Sequence, residues 1–385
     1  MVEAEGEGHA AEPEAVEPAA AAVVRPSSRP GTTPGSARFT AADVAILPSA
    51  GWIDVPICEA ILTKDIKLLT AIDGSATSMT ALTYITEGVL QADRTAYVEV
   101  LHIYGGGGVS QLPAHASKEG VQLACEAKLT SSVSSKRYRL RFMLAERAGS
   151  VGDQLCAAIG NLPADFIVMG FFGVKGRKRG DYVKAELGSS LATVLNHGNS
   201  SSLICIKDDS VQLLPIKFKK GVFVVSVSLN KSSTKAFLDA LRLSKPGDEI
   251  HVIYVKSYLE REDSDYTAQV RLKYEGFFES FRDPGQAVFS RYHDRLTKFE
   301  LIAKGRRETI AQAVVRYADE VEADFLVVGA NSADRVARGK QPVGSVSLQA
   351  CLLTDRNFVI AKWIDIAPAI YEGNVRRACT PSARS

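Results

Sequence analysis

One acidic side chain and three glycines carry the chemistry this sequence offers. Asp73 ends the apolar run Ile66–Ile72 and is followed directly by Gly74-Ser75. Much later, Phe166-Ile167-Val168-Met169 stops at Gly170. A second glycine follows at Gly173, and Gly188-Ser189-Ser190 then opens a helical pattern. Glycine lets the main chain approach an anion closely, and the first free N–H groups of a helix point at one. A strand, a glycine turn and a Gly-Ser helix start therefore meet the needs of a phosphate cradle. The same residues also describe an ordinary strand-to-helix connection. Between Gly173 and Gly188 stand Lys175, Arg177, Lys178 and Arg179, placed either to reach phosphates or to solvate a loop. The run KGRKR also reads as a weak nuclear-import signal.

The pattern occurs twice. ADFLVVG at 323–329 answers ADFIVMG at 164–170, and Gly344-Ser345-Val346-Ser347 answers Gly188-Ser189-Ser190-Leu191. LLTAIDGSATSMTAL (68–82) aligns without gaps to FVVSVSLNKSSTKAF (223–237). Order and spacing are kept across three separate blocks, which reads as a tandem repeat of one domain of ordinary size. The period is far too long for a solenoid.

The elements that must hold these residues follow from the hydrophobic pattern. Strands are expected at Ile66–Ile72, Tyr97–Tyr104, Tyr138–Leu144, Phe166–Met169 and Ser202–Lys207. Helices are expected after Ser78, through roughly 114–131, at Val151–Ile159 and through about 189–197. Gly105–Gly108 breaks the second strand and begins a flexible connection. This alternation predicts an α/β fold, a parallel sheet covered by helices on both faces. In such sheets ligands bind beyond the carboxyl ends of the strands, where the strand order reverses. Asp73, Tyr104 and Gly170 are the strand ends that should meet there.

The chain is 46% hydrophobic and 23% charged, enough for two cores, and the net charge of +2 argues neither for nor against a polyanionic partner. No apolar run is long enough to span a membrane. Cys58, Cys125, Cys156, Cys205, Cys351 and Cys379 are scattered, without CxxC or metal spacing, and read as reduced thiols. Residues 1–40, rich in Ala, Pro and Glu, read as a disordered tail. Residues 41–63, with Trp52, Ile53 and Val55, read as an ordered arm. The body divides into 64–210 and 215–365, followed by a basic C-terminal tail at 366–385.

An I-D-G-S strand end, an L-H-I-Y second strand, and V-M-G-x-x-G followed downstream by G-S together resemble the universal stress protein family. The resemblance covers about 64–207, and more weakly 217–363. It implies two tandem Rossmann-like domains of the adenine nucleotide alpha-hydrolase type, each with a five-stranded parallel sheet. It further implies ATP or AMP held by Asp73, Ile103, Met169, Gly170, Gly173, Gly188, Ser189 and Ser190, with Mg²⁺ carried on the phosphates. The loop departs from the family: fourteen residues lie between Gly173 and Gly188 instead of nine, and Phe171-Phe172 fills a usually small or polar position.

The second copy departs further, with Ser228 in place of Asp73 and Ser332 in place of Gly173. Its site is expected to be weak or empty, with one nucleotide per chain. Its long connection at 257–298 carries Tyr258, Tyr266, Tyr274, Phe277, Phe278 and Phe281, and is expected to hold an extra helix against the first domain. Tandem members pair their domains within one chain, or as a homodimer, which points to the final strands Ser202–Lys207 and Phe358–Lys362 as the contact.

The first strand ends IDGSATS, not in the SGGxDS loop of ATP pyrophosphatases, and no HxGH pair of a nucleotidyltransferase is present. His102 and His197 match structural positions of the family. No catalytic residue and no protein metal ligand is therefore assigned, and activity is expected to be at most that of a slow ATPase. The resulting expectation is a cytoplasmic nucleotide-binding stress or signalling protein, without nucleic acid or membrane partners. Its rival is a non-binding structural module that uses the same fold to dimerise and to interact with other proteins.

Overall fold

The computed structural model describes residues 55–105, 113–146, 149–173, 187–197, 201–207, 214–216, 219–257, 264–283, 285, 287–330 and 342–363. The two tails, the arm before residue 55, the connection at 106–112, the basic residues Lys175, Arg177, Lys178 and Arg179, and Tyr258, Ser332 and Cys379 lie outside the described residues.

Helix α1 (Val55–Thr63) leads into β1 (Lys67–Ala71). Helix α2 (Ala76–Thr83) continues through a π-helical turn at Tyr84–Val89 to Ala92. There follow β2 (Tyr97–Tyr104), α3 (Lys118–Ser132), β3 (Tyr138–Leu144), α4 (Val151–Asn161), β4 (Phe166–Gly170), α5 (Ser189–Asn196) and β5 (Ser202–Ile206). The same alternation resumes with β6 (Val222–Ser226), α6 (Lys231–Leu243), β7 (Glu249–Lys256), α7 (Asp265–Arg282), a short α8 (Ala287–Ser290) and β8 (Leu296–Ala303). It closes with α9 (Ile310–Glu320), β9 (Phe325–Gly329), α10 (Ser345–Leu353) and β10 (Asn357–Ala361).

Among the described residues these strands form one ten-stranded sheet, ordered β3-β2-β1-β4-β5-β10-β9-β6-β7-β8. Within each five-strand half every pairing is parallel. The halves meet where β5 and β10 run antiparallel, with Ile204 opposite Val359. Successive residues of a strand face opposite sides, so Phe166 and Val168 enter one apolar layer while Ile167 and Met169 enter the other. Each layer runs across both halves. At their junction the Tyr84 ring lies 5.0 Å from Phe325.

The long connection at 257–298 holds two helices, α7 and α8. Its main helix, α7, is the crossover that a parallel β7–β8 pair requires, not an extra element on the first half. It packs on its own half, with Tyr274 and Phe277 at 5.7 and 5.5 Å from the Phe237 ring. The segment between α7 and β8 also reaches the first half. Helix α8 lies against α1, and the Tyr292 hydroxyl donates to the Leu62 carbonyl at 3.2 Å. The five described cysteines are buried thiols, none of them in a disulfide.

Two buried lysines give the stability a pH dependence. Burial lowers Lys273 and Lys362 from their ordinary 10.5 to about 8. Between those values the unfolded chain binds protons that the folded chain has released. Stability from these groups therefore rises with pH across that window. Lys273→Met should reduce the slope of unfolding free energy against pH by up to about 1.4 kcal/mol per pH unit between pH 8 and 10. Urea unfolding at stepped pH measures it. An unchanged slope would mean that Lys273 titrates normally in the fold.

Candidate functional site

The site is built at the carboxyl ends of β1, β2 and β4, where the strand order reverses. Just past β1 the chain must turn sharply. The Ser75 N–H and hydroxyl both donate to Asp73 Oδ1, at 3.0 and 2.6 Å. Gly74 has φ +82°, and a Cβ there would stand 2.5 Å from the His115 carbonyl oxygen, so only glycine fits. Ser75 then caps α2 by accepting from the Ser78 N–H.

The start of α2 rests directly on the end of β4. A Cβ at Gly170 would lie 2.6 Å from Thr77 Oγ1 and 2.8 Å from the Ser78 nitrogen. Thr77 Oγ1 donates to the Phe172 carbonyl at 2.5 Å, and Ser75 Oγ stands 3.2 Å from the same oxygen. This clasp brings the glycine loop over Asp73, so that a Cβ at Gly173 would meet Asp73 Oδ2 at 3.0 Å. The Phe171 N–H donates to the Ile206 carbonyl, and the Phe171 ring is buried beneath Lys207 Nζ at 4.2 Å. Phe171-Phe172, which depart from the family pattern, thus anchor the loop.

Gly188 is the N-cap of α5 and supplies no side-chain cap, which leaves the first-turn N–H groups without an intrahelical partner. A Cβ at Gly188 would only reach ordinary contact, 3.5 Å from the Phe171 carbonyl. Its value is thus an open helix end, not clearance.

Asp73, Ile103, Met169, Gly170, Gly173, Gly188, Ser189 and Ser190 all line one cleft of about 600 Å³, within the size range of small-molecule sites. Val151, Leu155 and Pro113 add an apolar wall, and Ser75 and Ser78 add hydroxyls. Among the described lining residues Asp73 is the one charged side chain. Sequence reasoning missed the Ser75–Thr77 clasp and this wall. The capping serine before α2 was the available signal.

The histidines lie outside the cleft. His102 is buried, and its Nδ1 stands 2.7 Å from the Ile72 carbonyl, which fixes the proton on Nδ1 and holds the β1 end. His197 ends α5 in an exposed position, its carbonyl accepting from Lys362 Nζ at 3.1 Å. The described residues contain no group of three or more His, Cys, Asp or Glu able to hold a metal ion.

The corresponding turn in the second half is filled by its own side chains. Asn230 Nδ2 donates to Ser228 Oγ at 2.7 Å, and the Tyr274 hydroxyl donates to the Ser228 carbonyl at 3.2 Å. Tyr266 accepts from the Leu229 N–H at 3.3 Å. The close approach of strand and helix is kept, since a Cβ at Gly329 would lie 2.7 Å from the Ser232 carbonyl carbon.

Residues 67–205 match the universal stress protein family model. No curated protein matches the chain. Among solved structures, a universal stress protein from Archaeoglobus fulgidus DSM 4304 is 19% identical, covering 77% of this chain and 98% of its own, with a TM-score of 0.54. That likeness shows a shared fold. UspA from Lactobacillus plantarum is 15% identical over 37% of this chain and 97% of its own, with a TM-score of 0.27. A universal stress protein in complex with cAMP is 19% identical over 38% of this chain and 100% of its own, also at 0.27. No helix among the described residues is long and apolar enough to cross a membrane. Residues 67–205 therefore carry a domain of the universal stress protein family.

Proposed function

We propose that the first half binds an adenine nucleotide, ATP or AMP, and that the chain acts in the cytoplasm as a stress or signalling protein, not as an enzyme. The observation that carries this reading is the single cleft onto which all eight site residues open. Asp73 would accept a hydroxyl or amino group of the nucleoside. The Gly170–Gly173 backbone and the open start of α5 would take the phosphates, and Mg²⁺ would ride on those phosphates.

Residues 215–365 are, in this reading, a degenerate second copy. The β5–β10 seam would pair the two domains within the chain, leaving one nucleotide per chain. Ser228, enclosed by Asn230 and Tyr274, supports that asymmetry. The second reading is a structural module that binds other proteins, in which the apolar layers shared by both halves hold the sheet together without a ligand.

Asp73→Ala should weaken ATP binding about tenfold or more, as expected for the loss of a charged acceptor. Calorimetry measures it. Asp73→Asn keeps an acceptor for Ser75 and serves as the variant with an intact turn. Unchanged affinity in both would remove Asp73 from the site, and absence of ATP binding by the native chain would favour the structural module.

A further inference from the structure

A second cavity, of about 510 Å³, shares no lining residue with the nucleotide cleft. It opens between the end of α1, the end of α2, the end of α6 and the loop before β8, so both halves contribute to it. Its lining carries Lys64, Arg94, Arg242, Arg291 and Arg295 against Asp65 and Asp93.

Helix C-termini would normally make such a cavity unfavourable for anions, but here the exposed carbonyls are already covered. Arg137 donates to the carbonyls of Leu90 and Asp93, Arg295 to that of Ser244, and Arg242 to those of Lys64 and Asp65. Asp93 Oδ1 is taken by the Thr95 N–H and hydroxyl, both at 2.8 Å. Lys64 is engaged by Asp165 at 2.6 Å.

Three donors remain. Arg94 and Arg291 are exposed, and neither guanidinium makes a hydrogen bond or ion pair among the described residues. Arg242 is 7% exposed and pairs through Nη2 with Asp165 at 3.1 Å, but its Nε is buried without a hydrogen-bond partner. A buried guanidinium N–H left unmatched is uncommon, and an anion in the cavity would supply an acceptor. Guanidinium groups suit phosphate and carboxylate equally through paired N–H donors.

We propose that this cavity binds a small polyanion, a molecule presenting two or more phosphate or carboxylate groups to Arg94, Arg291 and Arg242. Because Arg94 belongs to the first half and Arg291 to the second, the bound anion ties the halves together and raises the melting temperature.

The test is calorimetry and thermal melting of the full chain with pyrophosphate and, separately, with citrate. Binding of pyrophosphate alone assigns the phosphate class, and binding of citrate alone the carboxylate class. The double variant Arg94→Gln/Arg291→Gln, altered only at exposed positions, should melt like the native chain without ligand and bind the probe about tenfold more weakly or worse. The double variant should keep whatever ATP affinity the native chain has, which separates this cavity from the nucleotide cleft. The proposal is overturned if neither probe binds or stabilises at millimolar concentration, or if the double variant binds normally. It is equally overturned if replacing Lys175, Arg177, Lys178 and Arg179 with serine abolishes the binding.

Discussion

Asp239→Ala should lower the unfolding free energy by about 3–5 kcal/mol, because it strands a largely buried cation. Asp239, on α6, is fully buried. It pairs with Lys235 one turn earlier and accepts from the Ser202 hydroxyl of β5 at 2.5 Å. Lys235 reaches the same hydroxyl at 3.3 Å and lies 5.7 Å from the centre of the Phe166 ring. Burial already pushes the Lys235 ammonium below its ordinary value, and without Asp239 that charge faces an apolar layer. Replacing both partners, as Lys235→Met/Asp239→Leu, removes the charges together and should be near neutral or stabilising. Urea unfolding of the two variants decides the matter. A loss below about 1 kcal/mol in Asp239→Ala would place the pair among solvated ones. The triad joins a helix of one half to a strand of the other, so its effect also measures how firmly the halves are registered.

That triad was not legible in the sequence, and the reason is physical. Lys235 and Asp239 share one helix, but Ser202 belongs to a different periodic pattern, and only the antiparallel meeting of β5 with β10 brings it to them. The strands were legible because burial writes itself into composition. Tyr97–Tyr104 and Tyr138–Leu144 stand as read, and the first strand is one residue shorter at each end. The π-helical turn at Tyr84–Val89 leaves no mark in YITEGV. Its Gly88, where a Cβ would lie 3.2 Å from the Tyr84 ring, reads in sequence as a plain helical glycine. In the cleft, the order of Asp73, Gly170 and Gly188 followed from strand ends and a helix start. The clasp that closes it uses the Phe172 carbonyl, a backbone group present in every residue and so invisible to a motif. The aromatic residues of α7 fit either half by pattern, and only the β7–β8 crossover shows that Tyr274 and Phe277 pack on Phe237.

The two strand-end glycines allow the proposed asymmetry between the halves to be tested with one kind of change. Gly170→Ala drives a methyl group to 2.6 Å from Thr77 Oγ1 and 2.8 Å from the Ser78 nitrogen. Gly329→Ala drives one to 2.7 Å from the Ser232 carbonyl carbon and 2.8 Å from its oxygen. Backbone must move in both cases, and overpacking of this kind costs about 1–3 kcal/mol or more. The melting temperatures of the two variants should therefore fall together. Their effects on nucleotide should not. Lifting α2 off β4 pulls Thr77 from the Phe172 carbonyl and shifts Ser75, which holds Asp73. Gly170→Ala should thus weaken ATP binding by about tenfold or more, roughly 1.4 kcal/mol or above. Gly329→Ala disturbs a turn already enclosed by Asn230 and Tyr274. Its ATP affinity should stay within about a factor of two of the native chain, as for distant, independent sites. Calorimetric titration at a temperature where both variants remain folded gives affinity and stoichiometry together. A native stoichiometry near two that falls to one in Gly329→Ala would show that the second half holds nucleotide as well, and equal losses of affinity in both variants would show that the halves act as one site.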